Sequence, residues 1–241
     1  MREPVHFIPI VTTVIAVLFG AAVLHRWRAR GGLHLLWWAI GLFAYGAGTL
    51  TEATVTLVGW HEGVFRAWYI TGALLGGAPL AQGTVYLLLS RRTADRLTLL
   101  LVPVIGVAAL CVLAAPIDYA AVEPYQLTGR VLDWRWVRAF SPFINLYAFV
   151  FLAGGAALSA ERSARQAGQR HRVVGNTLIA VGALLPGIGG SATRFGHTEV
   201  LYVTELVGLL LILAGYRRIV RGPGAAADTA VTTAARGVVT V

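Results

Sequence analysis

The chain consists of long apolar blocks separated by short stretches that carry its arginines, and this pattern fixes the solvent in which it folds. A block of about 20 mostly apolar residues crosses a bilayer as a helix, because a helix satisfies its own backbone where water is absent. Seven such blocks can be read, over residues 5–25, 33–57, 65–90, 97–115, 142–160, 173–191 and 199–216. Of the 241 residues, 57% are hydrophobic and 13% charged. Soluble domains carry roughly 45–50% and about 25%. The sequence therefore predicts an all-α polytopic membrane protein with seven transmembrane helices, and a water-soluble enzyme is ruled out. A single transmembrane domain is expected over 1–221. The remainder, 222–241, is rich in Ala, Gly and Thr, offers no face to bury, and is predicted to be a disordered cytoplasmic tail. The first block is not read as a signal peptide, because Arg26, Arg28 and Arg30 follow it at once as a stop-transfer flank.

Orientation follows from the arginines, which make up all 20 basic residues. With the N-terminus outside, 14 arginines fall on the inner side: Arg26, Arg28, Arg30, Arg91, Arg92, Arg96, Arg162, Arg165, Arg170, Arg172, Arg217, Arg218, Arg221 and Arg236. Six fall outside: Arg2, Arg66, Arg130, Arg135, Arg138 and Arg194. Arginine-rich segments resist translocation, so the N-terminus is expected outside and the C-terminus inside. The one long loop, 115–141, is then external. Within it Gly129 is placed to supply the positive φ of a hairpin turn, with an irregular interfacial loop as the equal alternative. Trp134 and Trp136 suit the headgroup level.

Inside a membrane, small residues let helices approach and polar residues avoid the acyl chains. Stripes of both at helical spacing mark the inward faces. The second span offers Trp38, Gly41, Tyr45, Gly48 and Glu52; the third, Tyr69, Gly72, Gly76, Pro79, Gly83, Tyr86 and Ser90, bordered by Gln82. The fifth offers Asn145, Ala148, Leu152, Gly155 and Ser159; the sixth, Asn176, Ala180, Ala183, Gly187 and Gly190; the seventh, Tyr202, Glu205, Gly208, Ile212 and Gly215. An inner bundle of spans 2, 3, 5, 6 and 7 is expected, with spans 1 and 4 facing lipid. Pro79 is expected to kink the third span and Pro186 to disturb the sixth.

Glu52 and Glu205 are the two carboxylates within spans, and each costs about 2.5–3.5 kcal/mol to place near the bilayer centre. The second span runs outward and the seventh inward. Both residues therefore lie at one level, roughly 8–10 Å below the outer surface at 1.5 Å per residue. Arg66, Tyr69, Asn145, Arg194 and Tyr202 lie in the same outer third. Three arrangements fit: structural ion pairs Glu52–Arg66 and Glu205–Arg194, an outward polar pocket binding a small ligand or ion, or charges that snorkel separately to the surface. In the pocket arrangement all seven residues are ligand-binding candidates.

Other chemistry is limited by what is missing. Without lysine there is no Schiff base to retinal or pyridoxal phosphate. The lone Cys111 forms no internal disulfide. No histidine lies deep in a span, which argues against axial haem ligation, and no HExxH or cysteine pair accompanies His6, His61 and His197. No catalytic residue, metal site or cofactor is assigned, and the net charge of +9 is explained by topology rather than nucleic acid.

The segment Phe65-Arg66-Ala67-Trp68-Tyr69-Ile70-Thr71-Gly72-Ala73, continued by Gly83-Thr84-Val85-Tyr86-Leu87-Leu88, resembles the third helix of uncharacterised bacterial seven-helix membrane proteins. More loosely, residues 33–90 look like the seven-helix sensor region of some histidine kinases, which also carries an acidic residue late in its second helix. That resemblance implies a receptor or sensor in the cell membrane. No kinase is seen in this chain, so a separate cytoplasmic signalling partner is expected beside the lipid bilayer and a small ligand. The alternatives are a small-solute transporter, which needs a continuous polar path from Glu52 and Glu205 through Gln82 to Asn176, and an intramembrane enzyme of lipid metabolism.

The topology makes the first test. A reporter fused at Gly222 is expected to be cytoplasmic and one inserted near Thr128 extracytoplasmic; an external C-terminus would overturn the orientation.

Overall fold

A computed structural model describes residues 4–222, apart from the side chain of Arg194. The expected disordered tail therefore lies, beyond Gly222, outside the described residues. The fold is all-α. The first two helices, α1 (Ile8–Arg30) and α2 (Leu33–Val58), are joined by Gly31 and Gly32, whose φ angles of 70° and 95° turn the chain in two residues. Then follow α3 (Glu62–Trp68), α4 (Ala78–Leu88), α5 (Arg91–Ala114), α6 (Phe140–Ala148), α7 (Gly155–Ala164), α8 (Arg170–Ala192) and α9 (Thr198–Val220). A π-helical turn, Tyr69–Leu74, continues α3, and another, Phe149–Gly154, joins α6 to α7. Six helical stretches are long and apolar enough to cross a membrane: Pro4–Arg30, α2, α5, Arg135–Ala164, α8 and α9. This architecture is compatible with a multi-pass membrane protein. Leu99, Leu100, Val102, Val104, Val107, Leu110 and Leu113 of α5 are all exposed, as a lipid-facing helix requires.

The third apolar segment is not one helix. It breaks between the π-helical turn and α4, at residues 75–77. Pro79 does not kink a continuous helix there; it lies in the first turn of α4, where its missing N–H has no helical partner to lose. Both halves nevertheless pack antiparallel along α2. Gly83 lies against Trp38, Leu80 against Gly41, and Gly72 against Gly48, where an added Cβ at Gly48 would stand 3.0 Å from the Gly72 Cα. The expected face of α2 is thus the one that packs. Gly76 has a different role from the one its stripe implies: a Cβ there would meet the carbonyl of Gly72 in its own segment, not a neighbouring helix.

The first span is less peripheral than expected. Thr13 and Thr49 share a hydrogen bond of 2.9 Å between α1 and α2, and Ala16 packs on Gly46. The sixth is more peripheral: α5 and α8 have the same low buried share, 17%. The inward face of α8 is also not the predicted one. Gly187 and Gly190 face open space, whereas Gly175, Gly182 and Gly189 meet α9 at Gly215, Gly208 and Leu201. These three glycines recur every seven residues, two helical turns, so they line one seam. Pro186 does not break α8; it packs against Gly208.

The 115–141 loop contains short 3₁₀ turns and a single antiparallel bridge, Ile117–Leu132, rather than a hairpin. Gly129 does not have a positive φ. It is small because Tyr69 lies beneath it, with the ring 3.0 Å from where a Cβ would be. Leu127, Val131, Leu132 and Val137 of this loop are buried with Phe65, Tyr69, Leu74 and Val112, so the loop closes one end of the bundle.

The glycine seam separates two outcomes. Gly182→Ala would bring a Cβ to 2.6 Å from the Gly208 carbonyl, while Gly187→Ala meets nothing within 4 Å. The first is expected to lower the apparent melting temperature of the detergent-solubilised protein, with a cost of about 1–3 kcal/mol. The second is expected to leave it unchanged or raise it, by up to about 1 kcal/mol. Equal behaviour would place the seam elsewhere.

Candidate functional site

Two carboxyl groups meet inside the bundle. Glu52 lies late in α2 and is only 4% exposed; Glu205 lies in the second turn of α9. Their side chains are within hydrogen-bonding reach of each other. On Glu52, Oε1 accepts from the Trp68 indole Nε1 at 3.0 Å. On both residues Oε2 is buried without any other hydrogen-bond partner. The surrounding groups come from the same two helices. Tyr45 donates its hydroxyl to the Glu205 carbonyl oxygen at 3.0 Å. Tyr202, one turn before Glu205, lies beside Thr56, one turn after Glu52. The α2–α9 contact thus carries two polar layers, the carboxyl pair and the Tyr202–Thr56 pair above it.

The predicted Glu52–Arg66 ion pair does not form. Arg66 donates from Nε and Nη2 to Glu62 Oε1 at 2.9 and 2.8 Å. Its Nη1 donates to the carbonyls of Val112 and of Leu113, and its Nη2 to that of Ala115 at 3.0 Å. These are terminal carbonyls of α5, which lack a partner within their own helix. A guanidinium there satisfies them and complements the negative end of the helix dipole. The physical reason for the departure is register. Residues equidistant from the turn at Trp60 face each other, so Glu52 meets Trp68, while Arg66 lies on the opposite side of α3.

Of the other expected site residues, Tyr202 joins the carboxyl pair. Tyr69 does not: it is buried in the outer core, with Ser141 donating to its hydroxyl at 3.4 Å. Asn145 is exposed and donates to the Ala73 carbonyl at 3.4 Å. The Arg194 side chain lies outside the described residues, and with it the expected Glu205–Arg194 pair. Trp68 and Thr56 are participants that the sequence reading missed. Among the described residues no three His, Cys, Asp or Glu side chains converge to hold a metal ion.

A second polar cluster lies toward the opposite end. Gln82 is fully buried and donates to the Ala94 carbonyl at 3.1 Å and to Thr98 at 2.7 Å, while Tyr147 donates to its Oε1. Tyr86 donates to Asp95 at 2.7 Å. Every hydrogen-bonding atom of the Gln82 amide points toward α5 or α6, away from the carboxyl pair. Leu42, Leu80 and Leu152, with Trp38, Thr84 and Tyr216, line a small cavity of about 50 Å³ whose walls are almost entirely apolar. The chain matches no protein-family model, and no curated protein matches it.

Glu62, ahead of the third apolar segment, couples the loop to Arg66. The Tyr119 hydroxyl donates to its Oε2 at 2.6 Å. That hydrogen bond first, and then those from Arg66, hold the Glu62 carboxyl below its ordinary value, and the same contact raises the Tyr119 phenol. A lowered carboxyl pKa gives stability that is present above its unfolded value and lost as the pH falls through the folded one. The loop is therefore expected to stay anchored at neutral pH and loosen in acid. Tyr119→Phe is expected to move the onset to higher pH, measured as protease sensitivity of residues 115–139 against pH. An onset unchanged by Tyr119→Phe would mean that the loop is held elsewhere.

Proposed function

We propose that the chain is a receptor- or sensor-like protein of the bacterial cell membrane, crossing it seven times with the N-terminus outside, and that the Glu52–Glu205 pair is its responsive element. The broken segment 65–88 counts as the seventh crossing because it pairs with α2 along its length. The observation that carries the reading is the meeting of two carboxyl groups in the bundle with an unpartnered buried oxygen on each. Adjacent negative charges repel strongly in a medium of low dielectric constant. Such a pair is stable when it shares a proton or a small cation. Gain or loss of that cation changes the force between α2 and α9, two helices that belong to opposite ends of the chain. The unpartnered Oε2 atoms are both buried, which suits a small ligand: a proton or a metal cation from outside. The resemblance of residues 33–90 to a kinase sensor region supports the same reading, with a separate cytoplasmic partner to carry the signal.

The Gln82 amide is fully engaged by α5 and α6 and makes no link to the carboxyl pair, which favours a receptor over a transporter, since transport needs a polar path through both. The test uses the full chain in lipid vesicles. Trp68 touches Glu52, so its emission reports the pair. Tryptophan fluorescence is expected to change when external pH, sodium or calcium is varied. The change is expected to vanish in Glu205→Gln and Trp68→Phe while both remain folded. No response in the wild-type protein, or an equal one in Glu205→Gln, would overturn the assignment; proton or sodium flux across the vesicles would make the chain a transporter.

A further inference from the structure

The other end of the bundle carries a different constellation. Where α8 begins and α9 ends, His171, Arg217, Arg218 and Arg221 line a cleft of about 400 Å³. Gly222 closes one side of it: an added Cβ there would fall 2.2 Å from the His171 Cδ2, so the chain lies directly on the imidazole. Three arginines and no acidic residue line this shallow, open cleft. None of the three arginines forms an ion pair among the described residues. Arg217 and Arg221 are one helical turn apart, and like charges at that spacing repel unless an anion lies between them.

The backbone adds to the same field. α8 starts beside His171 without a side-chain cap and without an acidic residue in its first turn. Open N–H groups at a helix start and guanidinium forks both suit a phosphate group. The level of the cleft identifies which phosphate is at hand. The apolar run of α9 ends at Tyr216, and the arginines begin at the next residue. The cleft therefore sits where the span leaves the hydrocarbon, at the depth of lipid headgroups. Basic pockets between helices at that depth bind anionic headgroups.

We propose that the cleft formed by His171, Arg217, Arg218 and Arg221 binds a phosphate group, presented by the headgroup of an anionic phospholipid. The site is independent of the carboxyl pair and of any sensing role. An anion there clamps the start of α8 to the end of α9, at the open end of their glycine seam.

The test uses the full chain in a neutral detergent, titrated with short-chain phosphatidylglycerol, short-chain phosphatidylcholine or inorganic phosphate, with the apparent melting temperature as readout. Phosphatidylglycerol is expected to raise it and phosphatidylcholine not. The triple variant Arg217→Gln/Arg218→Gln/Arg221→Gln is expected to shift the titration midpoint by about tenfold or more, since each guanidinium supplies a charge-assisted hydrogen bond. Should the triple variant fail to fold, Arg221→Gln alone, at the exposed end of α9, is expected to give a smaller weakening in the same direction. Arg28→Gln/Arg30→Gln/Arg92→Gln removes the same charge outside the cleft and is expected to keep the wild-type midpoint. A midpoint unaffected by the cleft variants, an equal loss in the control, or an equal effect of phosphatidylcholine would overturn the site. Inorganic phosphate acting as tightly as the lipid, with the same loss in the triple variant, would keep the phosphate site and overturn the lipid as its source.

Discussion

The outer half of the molecule depends on how closely α2 and the segment after it approach. Gly48 and Gly72 allow backbone-to-backbone contact, with only 3.0 Å between a Cβ built on the first and the Cα of the second. That contact, together with the short turn around Trp60, sets the register of the pair. Register then decides chemistry. It turns Trp68 toward Glu52 and sends Arg66 the other way, to the end of α5. A shift of one residue would rotate the α3 side chains by about 100° and exchange those partners. Glu52 is left without Arg66 because backbone packing, not charge attraction, chooses the neighbours. In hydrocarbon this order of priorities is expected, since close packing is the main force available between helices.

The sequence made much of this legible, and the failures share one cause. Apolar block lengths gave helices long enough to cross a membrane, and the opposite directions of α2 and α9 gave Glu52 and Glu205 a common level in the bundle, at which they do meet. What depth does not give is azimuth, the direction in which a side chain leaves its helix. Arg66 has the right height for Glu52 and the wrong azimuth. The same error affects α8, where Gly187 and Gly190 were taken for the inward face. The seven-residue recurrence of Gly175, Gly182 and Gly189 carries the correct one, and it is visible in the sequence once a partner with Gly208 and Gly215 is considered. The break at 75–77 was harder to see: Pro79 marks it, but a proline inside a helix and a proline starting one look alike without the backbone.

The two polar clusters obey different rules. Around Gln82 each amide hydrogen-bonding atom has a partner, which gives a rigid connection of α4, α5 and α6. At the carboxyl pair two oxygens are left open. A saturated network in a low-dielectric interior holds a structure in place, whereas an unsaturated one leaves a place for something to arrive.

The carboxyl pair also has a place in the order of synthesis. Glu52 leaves the ribosome early, and its neighbour on α9 arrives only after some 150 further residues. The outer core is complete long before that, because Phe65, Tyr69, Val112, Val131 and Val137 all precede α6. For most of its assembly the protein is thus a nearly finished bundle with one carboxyl group uncovered. A chain that is truncated, or whose last hairpin fails to dock, keeps that polar flaw on display within the membrane. The contact between the two glutamates therefore marks completion, and its absence is the feature by which an unfinished molecule differs most from a finished one.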